Sequence, residues 1–199
     1  MKTFATSRPQ AIVIGVSAGG LKALSVILPG LPRDFGLPIL IVIHLPPGKK
    51  SIVADLFDEK CQVTVSEAED KEPIQAGRIY FAPPDYHLLV EPDKRLSLSS
   101  DEPVLFSRPS IDVLFETAAD AYGPDLVGIV LTGANNDGAQ GLRAVSLAGG
   151  TAIVERPDQA FAGAMPLAAL DACPEAKILS LDEITAYLRK LGTTAEADI

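Results

Sequence analysis

The chain has 199 residues, of which 47% are hydrophobic, and this length suits one well-filled core better than two. The formal net charge of −9 argues against a nucleic-acid binder, which needs a basic surface to meet phosphate. No stretch of about 18 apolar residues exists, and the first residues lack the apolar segment of a secretory signal, so we expect a cytoplasmic protein with no membrane insertion. Cys61 and Cys173 lie far apart in the sequence and lack metal-ligand spacing, so we expect no metal site. In a reducing compartment we favour free buried thiols over a disulfide.

Four continuous runs of Val, Ile and Leu predict buried parallel strands, and helical patterns lie between them. The predicted strands cover residues 11–16, 38–43, 127–132 and 151–154. The predicted helices lie near residues 20–28, 51–60, 110–121, 138–148 and 160–172, and Ser180 with Glu183 forms a capping box that starts a last helix. This order predicts an α/β fold with a doubly wound, mostly parallel sheet flanked by helices, in one domain with a core of about residues 10–191.

Short strand patterns separated by turn residues fill the middle of the chain. They cover residues 78–82, 86–91 and 96–98, and Pro83-Pro84-Asp85 marks a turn between the first two. Short strands linked by turns are typical of antiparallel sheets. We therefore predict a small antiparallel meander attached to the parallel sheet.

The first predicted strand ends in Gly15-Val16-Ser17-Ala18-Gly19-Gly20, and a helix follows. Such a turn exposes a serine hydroxyl at the end of the strand, where it can act as a nucleophile. The same turn can instead cradle a phosphate, because backbone N–H groups at a helix start attract anions. The motif alone leaves both interpretations open. The rest of the chain disfavours a nucleotide site, since it has no Gly-Lys-Ser/Thr motif and no acidic residue placed to bind a ribose.

A serine nucleophile needs a base, and the chain has two histidines. His44 follows the second predicted strand, and sites in open parallel sheets form beyond the carboxyl ends of strands, so we expect His44 and Ser17 in one crevice. Neutral imidazole can accept the serine proton. The alternative for His44 is an ordinary strand-end histidine bonded to the backbone. For His87, in the predicted meander, we favour a surface or supporting role over that of the base.

Asp137 is the candidate for the carboxylate that orients the imidazole and stabilises its charged form. It stands beyond the apolar run that ends at residue 132 and close to the start of a helix, whose dipole favours the ionised carboxylate. A plainer role is capping of that helix, and both roles can coexist. The backbone amides of Ala18 and of residues 133–135 are candidate donors to a tetrahedral oxyanion. The chain order of serine, histidine and aspartate differs from that of the α/β-hydrolases, so another fold family is needed.

Six segments of the chain, taken in order, form one specific pattern. They are Gly15-Val16-Ser17-Ala18-Gly19-Gly20, His44-Leu45-Pro46-Pro47-Gly48, Glu67-Ala68-Glu69-Asp70, Ile79-Tyr80-Phe81-Ala82-Pro83, Arg108-Pro109-Ser110-Ile111-Asp112-Val113-Leu114-Phe115 and Leu131-Thr132-Gly133-Ala134-Asn135-Asn136-Asp137-Gly138. This pattern resembles the catalytic domain of the chemotaxis receptor protein-glutamate methylesterases, and the resemblance covers most of the chain. It implies a serine hydrolase with a triad of Ser17, His44 and Asp137 on a doubly wound parallel sheet.

Members of that family hydrolyse the methyl esters of glutamate side chains on cytoplasmic helices of chemoreceptors and release methanol, and some also deamidate receptor glutamines. The resemblance therefore implies a methylated chemoreceptor as the partner and no cofactor. It also places Arg108 in the family's Arg-Pro-Ser segment, where this side chain either steers an acidic receptor helix or holds an acidic loop. Ser110 is better interpreted as the N-cap of the helix that follows.

The chain departs from the family pattern at several positions. Family members often carry a polar residue after the nucleophile, Gln before the histidine, and Met-Gly after the last Thr-Gly, whereas this chain has Ala18, Ile43 and Ala134-Asn135. Oxyanion donation by the backbone of Ala134 survives its change, but we expect a different pocket shape. A phosphorylatable receiver domain typically precedes the family's catalytic domain. Here the first predicted strand starts near the beginning of the sequence, so we expect regulation by a separate response-regulator partner or by expression level, unless the sequence is an excised domain.

Two other functional classes remain open. One is a serine esterase that acts on small esters, which the altered Ala134-Asn135 loop allows. The other is a regulatory binding module that kept the fold without turnover, although the chain retains all three triad residue types. Cleavage of small aryl esters compared with cleavage of a methylated receptor distinguishes these classes.

Overall fold

The computed structural model describes residues 8–44 and 52–192. These ranges form a seven-stranded sheet, a separate two-stranded sheet and six α-helices, with 3₁₀ turns at Leu28–Gly30 and Gly123–Asp125. The strands are β1 (Ala11–Val16), β2 (Ile39–Ile43), β3 (Thr64–Glu67), β4 (Arg78–Phe81), β5 (His87–Val90), β6 (Leu96–Ser99), β7 (Leu126–Val130), β8 (Thr151–Glu155) and β9 (Lys177–Leu179). The helices are α1 (Gly20–Ile27), α2 (Val53–Asp58), α3 (Ile111–Tyr122), α4 (Ala139–Leu147), α5 (Ala164–Ala172) and α6 (Leu181–Gly192).

The large sheet is parallel throughout, and its strand order is β3-β4-β2-β1-β7-β8-β9. Strands β1, β2 and β7 are buried along their whole length. Burial on both faces explains why their sequences are continuously apolar rather than alternating. The predicted α/β fold with a doubly wound parallel sheet is confirmed.

Helices cover both faces of the sheet, and each face has its own core. Val13 of β1 packs in the core under α3, α4 and α5, whereas its neighbours Ile12 and Ile14 pack in the core under α1, α2 and α6. The capping box predicted for the last helix is present, since Ser180 Oγ accepts from Glu183 N–H and Glu183 Oε2 accepts from Ser180 N–H. Within the described ranges, none of the helices is long and apolar enough to cross a membrane.

The middle of the chain differs from the prediction. Strand β4 lies inside the large sheet, parallel to β2 and β3, and only β5 and β6 pair in antiparallel fashion, in a sheet of their own. Ile79 and Phe81 reach one core and Tyr80 reaches the other, so β4 is buried on both faces like its parallel neighbours. The prediction of a three-stranded meander was wrong for β4. The proline-rich segment after Phe81 ends a parallel strand instead of forming a hairpin.

The connections change direction at the central strand β1. The chain leaves β1 towards β2 and the β3–β4 edge, and it later returns to β7 on the other side of β1. In open α/β sheets such a switch point opens a crevice beyond the carboxyl ends of the strands. Ser17 follows β1, His44 follows β2 and Asp137 lies between β7 and α4, so the three candidate residues reach this crevice.

Candidate active site

Ser17 lies on the short turn between β1 and α1. Gly19 has a left-handed backbone with φ of 83°, which favours glycine. A side chain there would also clash, because an added Cβ would lie 2.6 Å from the Cβ of Phe161. The amide of Gly20 donates to the carbonyl of Ser17 at 2.8 Å. The turn therefore presents a half-buried serine at the carboxyl edge of the sheet.

Thr132 ties this turn to the neighbouring strand. Its carbonyl accepts from the amide of Ser17 at 2.9 Å, and its hydroxyl donates to the carbonyl of Ala18 at 2.7 Å. The amide of Thr132 in turn donates to the buried Glu155 Oε2 at 2.7 Å. Burial raises the pKa of Glu155, although the bond from Thr132 opposes this rise. The backbone around Ser17 is thus anchored through β7 to the end of β8.

The imidazole of His44 lies between Ser17 and Asp137. Its Nδ1 is 3.2 Å from Ser17 Oγ, and its Nε2 is 2.9 Å from Asp137 Oδ2. An ionised carboxylate only accepts hydrogen bonds, so Nε2 carries the proton and Nδ1 presents its lone pair to the serine hydroxyl. The amide of His44 also donates to the carbonyl of Val16 at 3.1 Å. This bond keeps the histidine beside the end of β1.

Asp137 is fully buried and accepts four hydrogen bonds from residues within the described ranges. Beside His44 Nε2, its donors are the Ser110 hydroxyl at 2.9 Å, the Ile111 amide at 2.8 Å and the Asp112 amide at 3.0 Å. Burial alone would raise the pKa of this carboxyl, but the bonds from His44 and from the backbone of Asp112 and Ile111 outweigh burial and lower the pKa. Asp137 is therefore held as a carboxylate against the imidazole.

The helix whose N-terminus faces Asp137 is α3, not the helix that follows it in the sequence. Its amide donors, Ile111 and Asp112, are the first two residues of α3, where backbone N–H groups lack helical partners. Helix α4 has Gly138 at its N-cap, with no side-chain cap bond. The alternative role for Asp137, capping of the helix that follows it, is not observed, because its carboxylate accepts from amides at the start of α3.

Asp112 makes the reciprocal connection from α3 to α4. Its Oδ1 accepts from the amides of Gly138 at 2.9 Å and Gly141 at 2.7 Å. Burial raises the pKa of Asp112 to about 6, with the Gly141 bond opposing the rise and the charge of Asp137 adding to it. The start of α3 thus donates to the carboxylate of Asp137, which precedes α4, and the start of α4 donates to the carboxylate of Asp112 in α3. This interlock fixes Asp137 relative to both helices.

His87 is buried rather than exposed, so the surface interpretation was wrong and the supporting one fits. Its Nδ1 accepts from the amide of Ser110 at 3.1 Å, and its Nε2 donates to the carbonyl of Glu102 at 3.1 Å. Both ring nitrogens are thus engaged by backbone groups and not by Ser17. Ser110 is the N-cap of α3, as predicted, and its hydroxyl accepts from Val113 N–H while it donates to Asp137. His87 therefore holds the backbone of Ser110, whose hydroxyl donates to Asp137.

The candidate oxyanion donors differ in availability. The amide of Gly133 already donates to the carbonyl of Ala162 at 3.0 Å, so it is not available to an oxyanion. The amides of Ala18, Ala134 and Asn135 have no acceptor in the part of the chain that the structure describes. These three amides are available to a substrate oxygen.

Arg108 borders a cleft of about 260 Å³ that His44 also lines. Its Nη1 donates to the carbonyls of Ser100 at 2.8 Å and Asp101 at 3.0 Å. The side chain thus holds the loop before α3 through backbone oxygens rather than through acidic side chains. Phe106, whose side chain is fully exposed, stands at the rim of the same cleft. Arg108 is consequently part of the wall of this cleft.

Sequence reasoning did not identify the supporting roles of Asp112, Thr132 and Glu155. A usable signal was present for the two carboxylates, since Asp112 stands among the buried positions of an amphipathic helix and Glu155 ends an apolar strand. A buried carboxylate needs donors, and here the donors are backbone amides near the site. The segment Leu45-Pro46-Pro47-Gly48 of the recognised pattern lies outside the described residues.

The fold and the geometry define the class of the protein. It is a doubly wound α/β protein in which a serine, a histidine and a buried aspartate are hydrogen-bonded in series at the switch point of the sheet. The family model described as CheB methylesterase matches residues 12–188, and the chain belongs to this family. The resemblance inferred from six sequence segments is therefore confirmed.

Relatives and a solved structure agree with this membership. A protein of Leptospira interrogans, with protein-glutamate methylesterase and protein-glutamine glutaminase in its name, is 48% identical, and the match covers 92% of this chain and 94% of that protein. The protein-glutamate methylesterase/protein-glutamine glutaminase of Symbiobacterium thermophilum is 36% identical over 92% of this chain but only 51% of its own length. The crystal structure of the Thermotoga maritima CheB methylesterase catalytic domain has a TM-score of 0.87 and 33% identity, covering 92% of this chain and 98% of that one.

Proposed function

We propose that the chain is a serine hydrolase that removes methyl groups from glutamate side chains on the cytoplasmic helices of chemoreceptors. The observation that carries this proposal is the series of hydrogen bonds from Ser17 through His44 to Asp137, in a chain of the CheB methylesterase family. The proposed substrate places the enzyme in the cytoplasm. The names of the relatives also support a second reaction, the deamidation of receptor glutamines.

The first half of the proposed reaction forms an ester between the substrate and Ser17. The Ser17 hydroxyl attacks the γ-carbonyl carbon of the methyl ester while its proton passes to His44 Nδ1, which lies 3.2 Å away. The imidazolium that results is stabilised by the Asp137 carboxylate at Nε2. When the tetrahedral intermediate collapses, the bond from carbon to the methoxy oxygen breaks. His44 then returns its proton to the leaving oxygen, and methanol departs.

The second half releases the product. Water donates a proton to His44 Nδ1 and attacks the glutamyl ester, and Ser17 recovers its proton as the ester breaks. A glutamine substrate follows the same steps with ammonia as the leaving group. Every proton transfer uses this chain's own side chains, so the proposal includes no cofactor and no metal.

Charge on the tetrahedral oxygen needs donors that point at it. We assign this role to the amides of Ala18 and Ala134, because both flank the site and neither has an acceptor within residues 8–44 and 52–192. Arg108 is assigned to substrate binding, because its side chain borders the cleft beside His44. Its cation suits an acidic receptor helix.

The proposal is tested by methanol release from chemoreceptor membranes that carry methylated glutamates. Ser17→Ala is expected to lower the rate at least about 10⁴-fold, because it removes the nucleophile. Ser25→Ala is the matched control, since Ser25 is exposed on α1 and its hydroxyl donates to the Leu21 carbonyl of the same helix. This variant is expected to keep the wild-type rate.

The outcomes separate the three functional classes. Release that persists in Ser17→Ala contradicts the assignment of the nucleophile. If the wild-type chain cleaves small aryl esters but releases no methanol from cognate receptors, it is a small-ester esterase. If it cleaves neither, it is a binding module on this fold.

A further inference from the structure

Asn135 is the position where this chain departs from the glycine that the family pattern often carries, and its side chain reaches the candidate site. Asn135 Nδ2 lies 3.4 Å from His44 Nδ1. On the other end of the same amide, Asn135 Oδ1 accepts from the backbone N–H of Asp137 at 3.3 Å. The carbonyl half of the amide is therefore directed at Asp137 and the NH₂ half at the imidazole.

The nitrogen that Asn135 approaches is the one that must accept the proton from Ser17. Neutral imidazole has one lone pair on Nδ1, and two donors share it here, the Ser17 hydroxyl at 3.2 Å and the Asn135 amide at 3.4 Å. Once Nδ1 has taken the serine proton it is a donor and no longer accepts. The NH₂ group of Asn135 then loses its acceptor and needs another.

A new acceptor forms nearby in the same step. As the bond from Ser17 Oγ to the carbonyl carbon forms, the π electron pair of the carbonyl moves to its oxygen, which becomes an anion two bonds from Oγ. The proton has moved to Nδ1, so the total charge of the site is unchanged while negative charge has appeared on the substrate. A polar N–H held against the same histidine is well placed to follow that charge.

We propose that Asn135 is a catalytic residue whose side-chain NH₂ group transfers its hydrogen bond from His44 Nδ1 to the tetrahedral oxyanion on Ser17. This inference rests on the proposed hydrolase function. Asn135 adds a side-chain donor to the amides of Ala18 and Ala134 in a loop where the Gly133 amide is already bonded to Ala162. Removing one donor of an oxyanion hole lowers kcat by about 10²–10³-fold in other hydrolases, and a loss of this size is expected here.

The first test is steady-state hydrolysis of p-nitrophenyl acetate by the full chain. Asn135→Ala is expected to lower kcat by about 10²-fold with KM changed by less than about threefold, because the donor acts on the transition state. Asn135→Asp is expected to lower kcat further, since a carboxylate repels the oxyanion. Asn136→Asp is the matched control, as it makes the same change at the exposed neighbour in the same loop, and it is expected to retain wild-type kcat.

The second test separates stabilisation of the oxyanion from a structural effect. A trifluoromethyl ketone forms a tetrahedral adduct with a serine hydroxyl, whereas the carboxylate product binds without one. The inhibition constant of the ketone is expected to rise in Asn135→Ala by about the same factor as kcat/KM falls. Binding of the carboxylate product is expected to stay unchanged.

Two results would overturn the proposal. One is an Asn135→Ala variant within about threefold of the wild-type kcat, and the other is a loss of kcat with no weakening of ketone binding. Ser17→Ala in the same assay keeps the failures distinguishable. If Ser17→Ala abolishes hydrolysis while Asn135→Ala does not affect it, only the role of Asn135 is wrong. If hydrolysis survives Ser17→Ala, the underlying serine mechanism is wrong as well.

Discussion

At the scale of single residues, two buried carboxylates lie close together, and their pKa values are shifted in opposite directions. Burial alone would raise the pKa of Asp137, but the bonds from His44 and from the amides of Asp112 and Ile111 lower it. Asp112 accepts from the amides of Gly138 and Gly141, and burial raises its pKa to about 6. The difference has a clear functional sense, because the proposed reaction needs a charge at Asp137, whereas Asp112 only needs an oxygen that accepts hydrogen bonds.

The raised pKa of Asp112 predicts a pH-dependent stability. In the unfolded chain this carboxyl titrates near its reference pKa of about 3.9. Between about pH 4 and about pH 6 the folded chain holds a proton that the unfolded chain has released, so the contribution of Asp112 lowers the unfolding free energy as the pH rises. Asp137, with a lowered pKa, acts with the opposite sign and only at more acidic pH.

Asp112→Asn is expected to remove this contribution, because an amide oxygen still accepts from Gly138 and Gly141 but does not titrate. Denaturant unfolding at about pH 4 and about pH 7 would measure it, and the variant is expected to lose less stability across this range than the wild type. Asp171→Asn, at an exposed position of α5, is the control and should follow the wild type. Parallel pH profiles of Asp112→Asn and the wild type would contradict the prediction.

At the scale of elements, the site depends on how closely α3 approaches the end of β1. Ile111 begins α3, and its amide donates to Asp137. Its side chain packs onto Gly15 of β1 and Gly138 before α4, where added Cβ atoms would lie 2.2 Å and 2.7 Å from Ile111 Cγ2. Both glycines are therefore required by close packing. The same contact that joins α3 to the sheet sets the position of the carboxylate.

Gly15→Ala tests this packing. The added methyl group has to displace Ile111 or the strand, so we expect a loss of about 1–3 kcal/mol in the free energy of unfolding. Gly36→Ala is the matched control, because an added Cβ at Gly36 meets nothing within 4 Å and its φ is not in the left-handed region. Chemical denaturation of both variants gives the measurement. Equal stabilities of the two would show that α3 does not press on β1 as described.

At the scale of the whole molecule, the strongest sequence signals belonged to the centre of the sheet. Strands β1, β2, β7 and β8 were predicted because burial on both faces leaves a continuous apolar run. Strands β3 and β9 were missed, since they are short strands at the two edges of the sheet and are only partly buried. The orientation of β4 was predicted wrongly, because the residues of β4 do not indicate which strands it pairs with.

In the candidate site too, features that follow from the local sequence could be predicted, whereas features that depend on packing could not. The proximity of Ser17, His44 and Asp137 could be predicted, because each follows a strand with a clear apolar pattern. The ends of such strands meet at one edge of a parallel sheet. The partners of Asp137 could not, because Ser110 and Asp112 reach it through the packing of α3 against α4. The direction of the Asn135 side-chain amide could not be predicted either, since it depends on the hydrogen bond from the Asp137 amide to Asn135 Oδ1.

Because the three residues come from three different strand ends, reactivity of Ser17 should require the complete fold. A fluorophosphonate modifies only an activated serine, and its reaction with the chain can be followed along a denaturant titration. Labelling is expected to disappear over the same denaturant range as the secondary structure, since unfolding separates Ser17 from His44. Labelling that persists in the unfolded chain would show that the reagent does not report on the site.

Activation of Ser17 by His44 and Asp137 is tested by fluorophosphonate labelling of the wild type, His44→Ala and Asp137→Asn. The rate of labelling is measured, and the modified peptide is identified by mass spectrometry. We expect one modification, at Ser17, that is slowed by at least about 10²-fold in both variants, because Ser17 then lacks a base or the base lacks its orientation. A folded wild-type chain that stays unmodified, or that is modified at another serine, would contradict the account.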